Sequence, residues 1–95
     1  MAVLVIAELK TAYERRDTLL EFVQTLAAHS RAEPGCLSYR PMLDVDQAGT
    51  IVIVEKWQSA AALEAHGQTA HMADFKAELG GVEVSIETFD IANPS

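Results

Sequence analysis

Two of the chain's three histidines, its single tryptophan and, two residues before that tryptophan, the carboxylate of Glu55 fall inside residues 55–75, EKWQSAAALEAHGQTAHMADF. Imidazole and carboxylate side chains this close could hold a metal ion or move protons. In a continuous helix, His66 and His71 would stand about 140° apart, whereas two ligands on one helical face want a spacing of four. A zinc site also needs further ligands, and neither His29 nor Cys36 completes a credible set. The spacing therefore predicts no metal site.

Acid/base chemistry fits better. Gly67, between the histidines, predicts a break that lets His66 at the end of one helix and His71 at the start of the next face a common space. A helix C-terminus favours a charged His66 and a helix N-terminus a neutral His71, so one suits a proton donor and the other a base. Both would serve equally well as hinge residues that cap or hydrogen-bond. Glu55 shares a strand face with Ile51, Ile53 and Trp57. Buried, it becomes a usable acid or base near neutral pH; at a strand end, it would pair with a lysine or arginine in water. Glu8 presents the same two readings. Trp57, Phe75, Met72, Met42 and Tyr39 are candidates to line an apolar pocket for a flat aromatic ligand, with the Tyr39 hydroxyl as polar handle, or simply to fill a core. No cation or motif activates Cys36, which reads as a small buried residue. Phosphate loops, haem-attachment motifs and nucleophile elbows are lacking.

The elements that must position these residues follow from periodicity. Residues 2–9 are apolar on both alternating sets until Glu8, as in a strand covered on two faces. Residues 11–33 carry Leu19, Phe22, Val23, Leu26 and Ala27 at helical spacing, with Thr11 and Glu14 in capping-box register. Pro34 and Gly35 stop that helix. Strands are expected at 36–45 and 50–57, joined by the polar loop DVDQAG. Ser59 caps a short helix reaching His66, and Thr69 caps another bearing Met72, Phe75 and Leu79. After Gly80 and Gly81, residues 82–91 alternate apolar and polar as the last strand, and ANPS forms a tail.

The order β-α-β-β-α-β is α+β and ferredoxin-like, a four-stranded antiparallel sheet with helices on one face of a single domain, residues 1–95. Val52 and Val54 oppose Ile51 and Ile53, and Leu4 and Ile6 oppose Val3 and Val5, so both sheet faces are apolar. The helices cover one. The other calls for a partner, most simply an identical subunit in a homodimer.

A net charge of −7, from 14 acidic and 7 basic residues, argues against nucleic acid as partner and disfavours strongly anionic substrates unless a local cation overrides it. A lone cysteine needs no oxidising compartment, no run reaches the roughly 18 apolar residues of a membrane span, and the N-terminus lacks the basic flank of a signal peptide. The expected location is cytoplasmic, with no membrane association.

VIAELKT, EPGCLSYRPMLD and IVIVEKWQSAAALEAHGQTAHMADF together resemble the antibiotic biosynthesis monooxygenase domain family over nearly the whole chain, most of all its small bacterial quinol monooxygenases. The W-x-S-x-x-A-L-x-x-H-x-x-T-x-H pattern from Trp57 to His71 carries most of that likeness. The resemblance implies a dimeric α+β barrel that oxidises a quinol or polycyclic phenol with O2 as co-substrate and without flavin, haem or metal. His66 or His71 would be the base, Glu55 would assist proton transfer, and Trp57, Tyr39, Met42, Met72 and Phe75 would hold the substrate. Haem-degrading relatives place an axial histidine near the position of Lys76, so haem is not expected. A proton-transferring isomerase of the autoinducer-processing type and a non-enzymatic ligand-binding or stress-response barrel share the same pattern.

Overall fold

The computed structural model describes residues 1–92; the last three residues of the expected tail lie outside the described residues. Four strands, β1 (Ala2–Lys10), β2 (Cys36–Leu43), β3 (Thr50–Trp57) and β4 (Glu83–Ile91), form one antiparallel sheet in the order β2-β3-β1-β4. Three helices, α1 (Arg16–Arg31), α2 (Ala60–Gly67) and α3 (Ala70–Lys76), connect them. This is the ferredoxin-like βαββαβ order, with its second helical connection divided in two.

Alternation along the central strands decides which face is buried. Val3, Val5, Ala7 and Leu9 of β1 and Ile51, Ile53, Glu55 and Trp57 of β3 all point at the helices, and Leu19, Val23, Leu26 and Ala27 of α1 close over them. Leu4, Ile6, Glu8, Val52 and Val54 point the other way and stay half-buried. Glu8 therefore belongs to the outer face, away from Glu55. Helical cover thins towards β4: Val84 and Ile86 share the inner face, yet Ile86 remains 62% exposed.

Some boundaries differ from the sequence expectation for identifiable reasons. The Thr11 capping box does not form, because the Thr11 N–H is spent on the Gly49 carbonyl at 3.0 Å, and α1 starts only at Arg16 after a 3-10 turn at Tyr13–Arg15. β2 ends at Leu43 because the Asp44 carboxylate accepts from the N–H groups of Asp46 and Gln47 and turns the chain. Gly67 is not a left-handed stop: α2 runs through it, and the break falls at Gln68–Thr69. Gly35, by contrast, has φ 86°, and a side chain there would bring its Cβ within 2.6 Å of the Ala62 Cβ. That close approach seats the start of α2 against the turn after α1.

Candidate active site

Glu55 and Trp57 lie two residues apart on β3 and so share a face. The indole Nε1–H donates to Glu55 Oε1 at 3.0 Å, and the two side chains are 0% and 6% exposed for tryptophan and glutamate respectively. Burial pushes the Glu55 carboxyl pKa above its ordinary value, reinforced by the Glu33 charge and opposed by the Trp57 hydrogen bond and by His66.

His66, in the last turn of α2, is packed on this pair. Its ring lies 4.5 Å from the Trp57 ring and 5.8 Å from that of Tyr39, and its Nε2 is 4.0 Å from Glu55 Oε1. The opposite ring nitrogen, Nδ1, stands 2.7 Å from Glu33 Oε2. The same carboxylate oxygen stands 2.8 Å from His71 Nε2. Glu33 thus ties the two histidines together.

That bridge is the basis for assigning the tautomers. An ionised carboxylate only accepts, so His66 carries its proton on Nδ1 and His71 on Nε2. The lone pair of a neutral His66 is left on Nε2, aimed towards Glu55. His29 stacks on the far side of His71, with ring centroids 5.4 Å apart and planes 17° from parallel.

Local sequence accounts for each placement. Ser59 and Thr69 cap α2 and α3 by accepting from Ala62 N–H and Met72 N–H, and the Thr69 hydroxyl also donates to the His66 carbonyl at 2.8 Å. The chain therefore turns tightly between the histidines, as the Ser and Thr positions predict. Glu33 sits in the turn that Pro34 and Gly35 enforce, with its N–H on the Ser30 carbonyl and its carbonyl receiving the Cys36 N–H. Arg31 donates to the Tyr39 carbonyl at 3.0 Å and holds β2 to the end of α1.

Beside His66 lies a cavity of about 460 Å³. Tyr39, Glu55 and His66 form its polar end; Val5, Ala7 and Ile53 of the sheet make the floor; and α3 supplies a wall. Burial, then the Glu55 charge, drive the Tyr39 phenol pKa far up, so it stays a hydrogen-bond donor. Met72 and Phe75 line this cavity as expected.

Three expected residues stand elsewhere. Trp57 is sealed behind Glu55 and positions it rather than touching the cavity. His71 lies behind Glu33 and opens on a separate groove between α1 and α3 with His29, Asp74 and Glu78. Met42 pairs with Val52 and faces the outer side of the sheet, 40% exposed, because it is an odd number of residues from Tyr39. Its assignment to the pocket is corrected accordingly. Cys36 is a thiol whose pKa burial and the charges of Glu33 and Glu55 raise, which suits a packing role.

Glu33 is the site residue that sequence reasoning missed. The signal was present: a glutamate just past a helix C-terminus meets an unfavourable dipole and calls for a compensating partner. It also supplies the third donor that the two histidines lacked, since Glu33, His66 and His71 place one ligating atom each within 4.8 Å of one another. Ligands around an ion at ordinary bond lengths stand about 3.0–3.4 Å apart. The 2.7 and 2.8 Å contacts are hydrogen-bond separations, and an ion would have to displace both protons.

The family model for "Antibiotic biosynthesis monooxygenase" matches residues 2–78, the span that holds every residue of this constellation. The chain belongs to this family. Among curated members, it is 39% identical over 72 residues to "Putative monooxygenase YcnE" of Bacillus subtilis (strain 168), covering 76% of each chain. It is 35% identical over 88 residues to "Probable quinol monooxygenase YgiN" of Escherichia coli (strain K12), covering 81% of this chain and 84% of that one. The solved structure of Rv0793 from Mycobacterium tuberculosis superposes with a TM-score of 0.90 at 26% identity, over 100% of this chain and 99% of the other. The antibiotic biosynthesis monooxygenase fold is thereby established for this sequence. Among the described residues, no helix is long and apolar enough to cross a membrane.

Proposed function

We propose that this chain is a cofactor-independent monooxygenase that oxidises a quinol or polycyclic phenol with O2. The observation that carries the reading is the presentation of His66: Nδ1–H is anchored on Glu33 while Nε2, free to accept, fronts an apolar cavity sized for a flat aromatic. A quinol hydroxyl placed there gives its proton to Nε2. Glu33 compensates the charge that develops on the ring, as the carboxylate does in hydrolase triads. The electron-rich quinolate is itself the reductant, so the reading requires no flavin, haem or metal.

The stoichiometry closes without a further reagent. Quinol plus O2 gives hydroxyquinone plus water: one oxygen atom enters the ring, the other leaves as water, and the quinol supplies all four electrons. Tyr39, at the same end of the cavity, is placed to donate a hydrogen bond to a substrate oxygen, and Glu55 beside it assists the proton transfer. The same reading takes the protein as a homodimer joined through the outer sheet face, where Leu4, Ile6, Val52 and Val54 lie half-buried and Phe89 and Met42 lie exposed.

Oxygen uptake by metal-free protein mixed with a reduced naphthoquinol tests the activity. A rate well above autoxidation is expected, and a rate equal to that background across several quinols would overturn the proposal.

A further inference from the structure

The wall that α3 and the turn after it offer the cavity carries Met72, Phe75 and Lys76, at i, i+3 and i+4 of the helix, and then Leu79. Three of the four are apolar. The fourth is the only lysine or arginine that lines this cavity. Its helical neighbours three and four positions back, Ala73 and Met72, carry no charge, while Asp74 and Glu78 lie two positions away, and both line the outer groove instead. Among the described residues, Lys76 makes no salt bridge.

The register shows where Lys76 stands relative to the chemistry. Tyr39, Glu55, Val5 and Thr88 form one cross-strand row, Ile53, Ala7 and Ile86 the next, and Leu9 and Val84 the third. All of them line the cavity, so it runs about 13 Å along the sheet. His66 adjoins the first row. The wall from Met72 to Leu79 leads away from it, since the Leu79 carbonyl takes the Val82 N–H just before β4 begins at the third row. The first row carries the carboxylate of Glu55, with Glu33 behind His66, whereas the wall beyond Phe75 carries an ammonium.

We propose that the substrate is a two-ring hydroxyarene bearing one anionic substituent, a carboxylate or its equivalent, on the ring remote from the reacting hydroxyl, and that Lys76 receives it. This rests on the monooxygenase reading of the same cavity and supplies what that reading lacks, a reason for the substrate to enter in one direction. Glu33 and Glu55 repel an anion from the His66 end, Lys76 attracts it to the other, and the hydroxyl is thereby delivered to Nε2. One ammonium matches one negative charge. A phosphate ester would need more donors than this wall supplies.

The test compares a naphthoquinol with the same quinol carrying a carboxylate on its second ring, and measures the binding of a naphthol and the corresponding hydroxynaphthoate with O2 excluded. Wild-type protein should favour the carboxylated member of each pair. In Lys76→Gln, the ratio of kcat/KM between the two quinols should fall about fivefold, through KM, and the ratio of Kd values should fall alike. Lys76→Arg should keep the preference, and Lys76→Glu should reverse it. Ratios cancel any general loss from the substitution itself. Turnover without a carboxylate preference, or a preference untouched in Lys76→Gln, overturns this inference and leaves the monooxygenase reading standing. Lys76-dependent binding without turnover of any quinol supports it and overturns that reading instead.

Discussion

At the residue scale, the site turns on one carboxylate oxygen shared by two imidazoles. Glu33→Gln replaces a pure acceptor with a group that also donates, so the His66 tautomer is no longer imposed. Quinol-dependent oxygen uptake is expected to fall roughly 10²- to 10⁴-fold, comparable to the loss in His66→Ala, while thermal unfolding and circular dichroism stay near wild type. Glu55 gives a prediction in stability. Its pKa is raised on folding, so the folded state holds the proton more tightly than the unfolded chain does, and stability is lost as pH rises above the ordinary carboxylate value of 4.5. Glu55→Gln should therefore raise Tm at neutral pH and lose that advantage below the ordinary value; a Tm gain that grows on acidification would contradict the assignment. The pairing of Glu55 with Trp57 was legible from period two alone. The need of Glu33 for a partner was legible from its place after α1, but the partners were not, because they lie 33 and 38 residues away and no periodicity links a turn to a distant helix. Met42 misled by its type: apolar character suggested the pocket, but parity along β2 excludes it.

At the element scale, two very short helices hold the histidines, and short helices depend on their ends. Thr69 fills two roles, accepting at the start of α3 and donating to the His66 carbonyl. Thr69→Ala should cost about 1 kcal/mol in denaturant unfolding and lower oxygen uptake further than that modest loss suggests, because His66 and His71 would no longer be held to one carboxylate. Gly35 carries the other constraint. Its positive φ and its approach to Ala62 make Gly35→Ala unfavourable by about 1–3 kcal/mol, measurable as a lowered urea midpoint. The caps were readable from Ser59 and Thr69, which local chemistry dictates. The misplaced start of α1 was not, since the group that displaced the Thr11 cap, the Gly49 carbonyl, belongs to a loop brought near only by the folded sheet.

At the scale of the molecule, the strand order and the buried face followed from alternation, and the two-faced character of β1 and β3 marks the outer sheet as unfinished. On the dimer reading, sedimentation equilibrium should give twice the chain mass, and Val54→Glu should shift the protein towards monomer. A wild-type monomer at micromolar concentration would refute that reading of the outer face. The inner face has its own gap: α2 and α3 stop short of β4, so Val84 and Ile86 border the cavity while remaining open to water. On the proposed reading, substrate enters along that edge. No sequence pattern announced this, because the alternation of β4 is the same whether a helix covers it or not.

The burial of Trp57 has a practical consequence. It is the only indole in the chain, and its ring lies 4.5 Å from an imidazole on which the proposed chemistry depends. A protonated imidazole at that distance quenches indole emission, and a neutral one does so far less. The protein thus carries its own optical probe: intrinsic fluorescence, followed with O2 excluded as a ligand is added, reports changes at the Trp57–His66 contact without turnover and without a label.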